Sequence, residues 1–213
     1  VLEVTINRPE AKNAMTKAAA EGIAAAMDRL DSEPGLRVAI LTGAGGTFCS
    51  GMDLKGFLRG EMPVAGERGF GGLTSWTPKK PVIAAVDGYA LAGGMELAIA
   101  CDLIVANVNA KFGIPEAKRG LVAAGGGVIA LPRLLPRPLA MELALTGDPI
   151  GAQRAYELGL VNRVTEGPAI EAARALAAVV AANGPLALIA SKGIIRESWN
   201  WGDEEAMKLQ APF

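Results

Sequence analysis

The sequence predicts an α/β layer fold that turns helical toward its C-terminus, and three observations carry that expectation. Continuous apolar runs of strand length, at 38–42, 82–86 and 103–106, alternate with segments of helical spacing. Runs of this kind belong to parallel strands covered on both faces. Beyond Ala124 the helical signals take over, and 51% hydrophobic residues in 213 positions supply a core for one medium-sized domain, or for a domain with a small appendage. The division falls near residue 150, with an α/β core over 1–150 and a helical region over 151–213.

Residues 1–6 alternate with period two and run into Asn7-Arg8-Pro9, as a half-buried strand entering a turn does. Thr16 then stands as N-cap of a helix carrying Ile23, Met27 and Leu30 at helical spacing, which Pro34-Gly35 stops. The strand at 38–42 leads through Gly43-Ala44-Gly45-Gly46 to the run 48–55. Residues 56–75 are Gly-rich with mixed charge and read as a mobile lid or loop, since a segment this long inside a compact domain is usually functional or disordered.

The strand at 82–86 is followed by Asp87-Gly88, and Gly93-Gly94 opens a helix through Ala100 ahead of the strand at 103–106. Gly125-Gly126-Gly127 enters the helical part, with further helices at 138–146, 152–158 and 170–182 and one short strand at 161–164. Asn183-Gly184 ends the third of these, and Pro185 opens a last helix. There is no Ser-rich linker or internal repeat. The chain begins without Met in what reads as mid-strand and stops at Pro212-Phe213, so both ends read as trimmed or disordered.

Composition excludes several functions. With 21 Lys+Arg, 22 Asp+Glu and no His, there is no basic footprint for nucleic acid, no Ser-His-Asp or Cys-His catalytic set and no His-ligated metal. Ser50 beside a glycine therefore gives no serine hydrolase, and acid–base chemistry falls to carboxylates, Lys, Tyr or Cys. Cys49 and Cys101 are far apart, without a CxxC pairing, and read as buried small residues in a reducing cytoplasm. The most apolar stretch, 82–106, is broken by Asp87, Glu96 and Asp102, which argues against a membrane span. No segment resembles a signal peptide. Trp199 and Trp201 read as packing or interface residues.

Three features carry possible chemistry. In Gly51-Met52-Asp53, a glycine between strand and helix lets the following amide point into a cavity. Taken alone, this reads more readily as an ordinary strand-to-helix turn. In Gly88 to Glu96, a buried strand delivers the pair Gly93-Gly94 to a helix N-terminus, where the Gly93 amide is unpaired at the positive end of the dipole. Two such amides converging from parallel strands form an oxyanion hole. Neither glycine set matches a nucleotide-binding fingerprint. The third feature is the carboxylate pair Glu96 and Glu116. Glu96 stands in an otherwise apolar helix, and burial raises a carboxyl's pKa, as suits proton transfer. The bland alternative, a helix cap or an ion pair with Lys111, Lys118 or Arg119, is equally open at this point.

Taken together, the residues from Asn7 to Ala14, the runs 48–55 and 88–102, and Phe112-Gly113-Ile114-Pro115-Glu116 resemble the enoyl-CoA hydratase/isomerase (crotonase) superfamily. The likeness continues through Gly125-Gly126, 145–150 and 155–162 and spans nearly the whole chain. It implies a spiral core of ββα units over 1–150, an acyl-CoA thioester as ligand, and a homotrimer or dimer of trimers, with no nucleic acid or membrane partner. It also implies that the amides of Met52 and Gly93 hold the thioester oxygen and that Met52, Asp53, Leu54 and Lys55 line the CoA site together with Gly93. Glu96 and Glu116 correspond to the family's two hydratase glutamates. The implied reaction adds water across a trans-2-enoyl-CoA, with Glu116 serving the α-carbon proton and Glu96 positioning the water, and needs no metal or redox cofactor. A non-catalytic acyl-CoA binder is expected to lack one of these glutamates; a sibling isomerase is the main rival.

The chain departs from the family pattern in places. Ala92 and Met95 stand where relatives often have Gly and Cys, exchanges expected to leave the amides undisturbed. Ala123-Ala124-Gly125-Gly126 replaces a turn that often contains Pro-Gly. Family members usually continue past the equivalent of Phe213 into helices that close the pocket and the trimer.

Overall fold

A computed structural model describes residues 1–213. The chain runs β1 (Leu2–Ile6), α1 (Lys17–Ser32), β2 (Ala39–Gly43), a short α2 (Leu54–Leu58), β3 (Val82–Val86), β4 (Tyr89–Leu91), α3 (Gly93–Ala100), β5 (Leu103–Asn107) and β6 (Lys111–Gly113). It continues through α4 (Gly127–Leu134), α5 (Arg137–Thr146), β7 (Ile150–Gly151), α6 (Ala152–Glu157), β8 (Arg163–Thr165), α7 (Ala169–Ala181), α8 (Pro185–Glu197) and α9 (Asp203–Leu209). The α/β class read from the sequence is the one observed. The Thr16 side chain accepts from the Ala19 amide at 3.2 Å, as the N-cap reading requires.

The apolar runs form a five-stranded parallel sheet in the order β1-β2-β3-β5-β8. Alternation sorts their side chains onto two faces. Ala39, Leu41, Val82, Ala84, Val86, Ile104 and Ala106 enter the larger core, which also holds the buried stripe of α1. Ile40, Ile83, Ala85 and Val105 face α7, whose Ala169, Ala173 and Ala177 recur every four residues on its inner side. Small side chains at that spacing let the helix lie close on the sheet. Its first amide donates to the Asp87 carboxylate at 3.1 Å, so the residue that follows β3 also seats the start of α7.

Helix α8 is clamped to the same sheet. Lys192 Nζ lies 2.6 Å from the Asp102 carboxylate and donates to the Lys80 carbonyl at 2.9 Å, while that carboxylate accepts from the Val82 amide at 2.8 Å. Burial pulls the Lys192 pKa down, and Asp102 opposes the fall. No single helix is long and apolar enough to cross a membrane.

Three features differ from the sequence reading. The helix opened by Pro185 is followed by a further one, α9. A second, three-stranded sheet of β4, β6 and β7 exists that the sequence did not announce. The segment 56–75 is a loop with short helical turns, but it divides: Leu58 is exposed, whereas Leu73 is buried and Gly71 and Gly72 pack on Leu97 and on Ala20 and Ala24. Residues 71–73 are anchored in the core, and the remainder of the segment is the loop that the sequence suggested.

Candidate active site

The small sheet is what gathers the chemistry. β4 and β6 pair in parallel, Leu91 opposite Gly113, and isolated parallel bridges join Cys49 to Ala90 and Met15 to Met52. Parallel neighbours leave a ladder at the same end. Three residues past Cys49 stands Met52, two past Leu91 stands Gly93, and three past Gly113 stands Glu116, so the pairing brings all three exits together.

The two amides are free to act. In the bridge to Met15, Gly51 O accepts from Met15 N and Asp53 N donates to Met15 O, which turns the intervening Met52 amide the other way. Gly93 is the first residue of α3, where no intrahelical acceptor exists. Neither amide donates to a protein acceptor. Gly51 has φ +103, a conformation suited to glycine, and a methyl built on it would stand 3.5 Å from Gly93 N. The Gly51 turn thus lies against the peptide that joins Ala92 to Gly93. A methyl on Gly93 would strike the Phe70 ring and one on Gly94 the Cys49 carbonyl, so both positions need glycine for close approach.

A polar brace holds the Met52 turn. Asn13, fully buried with φ 55, accepts from the Arg8 amide at 2.8 Å through Oδ1 and donates through Nδ2 to the carbonyls of Ala44 and Thr47. Arg8 donates to Ala14 O at 2.6 Å and lies 2.9 Å from the Asp53 carboxylate. Asp53 caps α2 by accepting from Gly56 N at 3.0 Å. That bond first, and Arg8 second, hold its carboxyl below the usual range. The Asp53 carboxylate is therefore occupied in shaping the turn, and Leu54 and Lys55 lie exposed on the first turn of α2.

The two carboxyls have unlike settings. Glu96, 4% exposed in the first turn of α3, accepts from Gly127 N at 2.8 Å. Burial pushes its pKa up, and the Gly127 and Gly125 amides pull the other way. Glu116 lies in a 3-10 turn, Pro115–Arg119, and its Oε2 is buried without a hydrogen-bond partner. Burial is again the main cause of its raised pKa and the Glu96 charge adds to it, while its own backbone amide and, less, Arg119 oppose it. Neither carboxylate forms an ion pair; Lys118, a partner the sequence allowed, binds Asp148 instead. Burial likewise raises the Cys49 thiol to about 11, so it is no nucleophile.

Met52, Gly93, Glu96 and Glu116, the residues singled out from sequence, thus lie toward one end of the small sheet. The brace of Arg8 and Asn13, the glycines that seat Glu96, and Phe70 against Gly93 were not assigned roles from sequence. Arg8 and Asn13 belong to the run from Asn7 to Ala14, and Gly125-Gly126 to the glycine-rich entry, that carry the family resemblance, but no local pattern gives their contacts. A cavity of about 750 Å³ borders Gly125, Gly126, Ile129, Ile195 and Trp199 and is not lined by either amide or carboxyl of this group.

Comparison with known proteins shows what the whole chain is similar to. The enoyl-CoA hydratase/isomerase family model matches residues 1–211. Carnitinyl-CoA dehydratase of Proteus mirabilis (strain HI4320) is 44% identical over 98% of this chain and 82% of its own length. The crystal structure of an enoyl-CoA hydratase from Mycobacterium tuberculosis H37Rv superposes with TM-score 0.95 at 59% identity, covering 98% of this chain and 82% of that one. That of a carnitinyl-CoA hydratase from Mycobacterium avium does so with TM-score 0.88 at 43% identity, over 94% and 78%.

Proposed function

This chain belongs to the enoyl-CoA hydratase/isomerase family, as a crotonase-fold enzyme of the hydratase and dehydratase kind, and from that premise we propose that it adds water across the 2,3 double bond of a trans-2-enoyl-CoA. The supporting observation is the coexistence of two unpaired amides with two carboxyls of raised proton affinity and no basic partner. In this reading Met52 N and Gly93 N donate to the thioester oxygen and stabilise the enolate-like charge that grows there, each worth about 3 kcal/mol of barrier. A water held between Glu96 and Glu116 attacks the β-carbon. One carboxylate takes its proton and the other carboxyl delivers a proton to the α-carbon, giving a 3-hydroxyacyl-CoA. A positioned acid–base group contributes about 10²–10⁴-fold.

Glu96, seated by backbone amides, suits the water; Glu116, with an oxygen left over, suits the α-carbon proton. Coenzyme A enters as part of the substrate, beside the turn of Met52 to Lys55, and the chemistry uses no other cofactor. A homotrimer or dimer of trimers belongs to the same proposal.

The names of the dehydratase relatives favour a second form of the reading, elimination of water from a substrate such as carnitinyl-CoA, which is the same chemistry run backward. One experiment tests both. The protein is given trans-2-enoyl-CoA thioesters of increasing chain length, and separately carnitinyl-CoA, while the absorbance of the conjugated thioester is followed. Loss of absorbance marks hydration, and its appearance from carnitinyl-CoA marks dehydration. Equal rates for wild type and the Glu96→Gln/Glu116→Gln double variant across the panel would rule the proposal out. An isomerase would instead convert a 3-enoyl-CoA and depend chiefly on one glutamate.

A further inference from the structure

Ala92 has φ 52 and ψ −129, a backbone conformation that glycine enters freely and a methyl-bearing residue does not. Such strain persists only where the surroundings over-determine the conformation, and here they do. The Ala92 amide donates to Gly113 O at 2.9 Å, on the strand that leads to Glu116. Its carbonyl accepts from Met95 N at 2.9 Å and from Glu96 N at 3.1 Å, which sets the first turn of the helix that carries Glu96. Its own C-terminal peptide supplies the Gly93 amide. Its methyl abuts the other amide turn: a methyl carbon built on Gly51 would lie 2.8 Å from the Ala92 methyl and 3.3 Å from Leu91 O. One strained residue therefore touches the supports of both amides and both carboxyls.

From this contact set we infer that Ala92 is a positioning residue, whose methyl spaces the Gly51–Met52 peptide from the start of α3 so that the Met52 and Gly93 amides aim at one oxygen. The inference rests on the reading in which those amides hold the thioester oxygen. It assigns a role to an exchange that, from sequence, looked neutral. Removing the methyl relaxes the backbone while loosening the aim, so stability and catalysis move in opposite directions. A merely structural role moves them together.

The test compares wild type, Ala92→Gly and Ala92→Ser by isotope-edited infrared difference spectroscopy of bound [1-¹³C]butanoyl-CoA, a saturated thioester that cannot be hydrated, alongside hydration kinetics and thermal melting. Polarisation by the two amides shifts the carbonyl band of the bound probe to lower frequency. In Ala92→Gly the shift shrinks, kcat falls about tenfold with KM nearly unchanged, and Tm is equal to or above wild type, by up to about 2 °C. Ala92→Ser keeps a β-carbon in place and keeps the wild-type shift and kcat. An undiminished shift and kcat in Ala92→Gly, or a Tm that falls in step with kcat, overturns the role of Ala92 while leaving the amide reading intact. No shift in wild type itself overturns the amide reading and the role of Ala92 with it.

Discussion

Glu96 and Glu116 are the same residue type, drawn toward the same end of the small sheet, yet their surroundings differ in kind. Glu96 sits in a regular helix among apolar neighbours and is seated by the loop Gly125 to Gly127, whose close approach leaves no room for a methyl at Gly125. Glu116 sits in a short 3-10 turn and keeps one buried oxygen unpaired. An unpaired buried acceptor costs about 1–3 kcal/mol. The difference teaches that the fold holds one carboxylate still and leaves the other with an oxygen to spend, which is the asymmetry a two-carboxylate hydration mechanism needs.

The largest expected effect separates the pair directly. Glu116→Gln lowers kcat for enoyl-CoA hydration by about 10⁴-fold, and Glu96→Gln, which retains a carbonyl oxygen to accept from Gly127, by about 10²-fold. Single-turnover absorbance measurements decide it, and equal losses would erase the proposed division of labour. Next come the supports. Gly125→Ala drives a methyl into the Glu96 carboxylate and costs about 1–3 kcal/mol of stability, seen by urea unfolding, with a drop in kcat. Gly120→Ala, at the end of the Glu116 turn with φ +66 and open space around it, costs about 1 kcal/mol and leaves kcat within about twofold. A kcat loss in the second variant as deep as in the first would show that the turn, not the oxygen, matters.

The smallest effect is electrostatic. Both carboxyls have raised pKa values in the fold, so the folded chain binds their protons more tightly than the unfolded chain. Their contribution to stability is present below the unfolded carboxylate pKa and is lost as pH rises through the raised values. The Glu96→Gln/Glu116→Gln variant therefore melts above wild type at neutral pH, on the order of 2–4 °C, and the gap closes on acidification. Melting curves with a constant gap between about pH 4 and pH 7 would contradict the burial of the two charges.

Much of the fold was legible. The strands of the large sheet are continuous apolar runs because both of their faces are covered, and α3 was bounded by Gly93 and Ala100 as read. The small sheet was not legible, because strands of two or three residues, such as Ile150–Gly151 and Lys111–Gly113, are too short to show a period. The half-buried nature of 56–75 escaped notice for a related reason. Its glycines at 69, 71 and 72 look like loop flexibility in sequence, but in space they permit contact with Ser75, Leu97 and Ala20.

In the site, Glu96 could be singled out because a carboxylate stands alone among apolar helical neighbours. Its seat at Gly127 lies 31 positions away and carries no local signal. Whether Glu116 was paired could not be read at all, since Lys118 was equally placed to bind Asp148, and does.

The sequence by itself determined the layer class and the absence of imidazole chemistry, and it offered candidates for proton transfer and for free amides. These follow from composition, from hydrophobic period and from which residues open a helix, all properties of neighbours along the chain. Only the tertiary structure decided that Met52, Gly93 and Glu116 leave one ladder at the same end, that Glu116 keeps an unpaired oxygen, and that Ala92 is strained between the two amide turns. Each of those depends on parallel pairings and contacts between segments tens of residues apart, and no local pattern encodes the partner at the far end of such a contact.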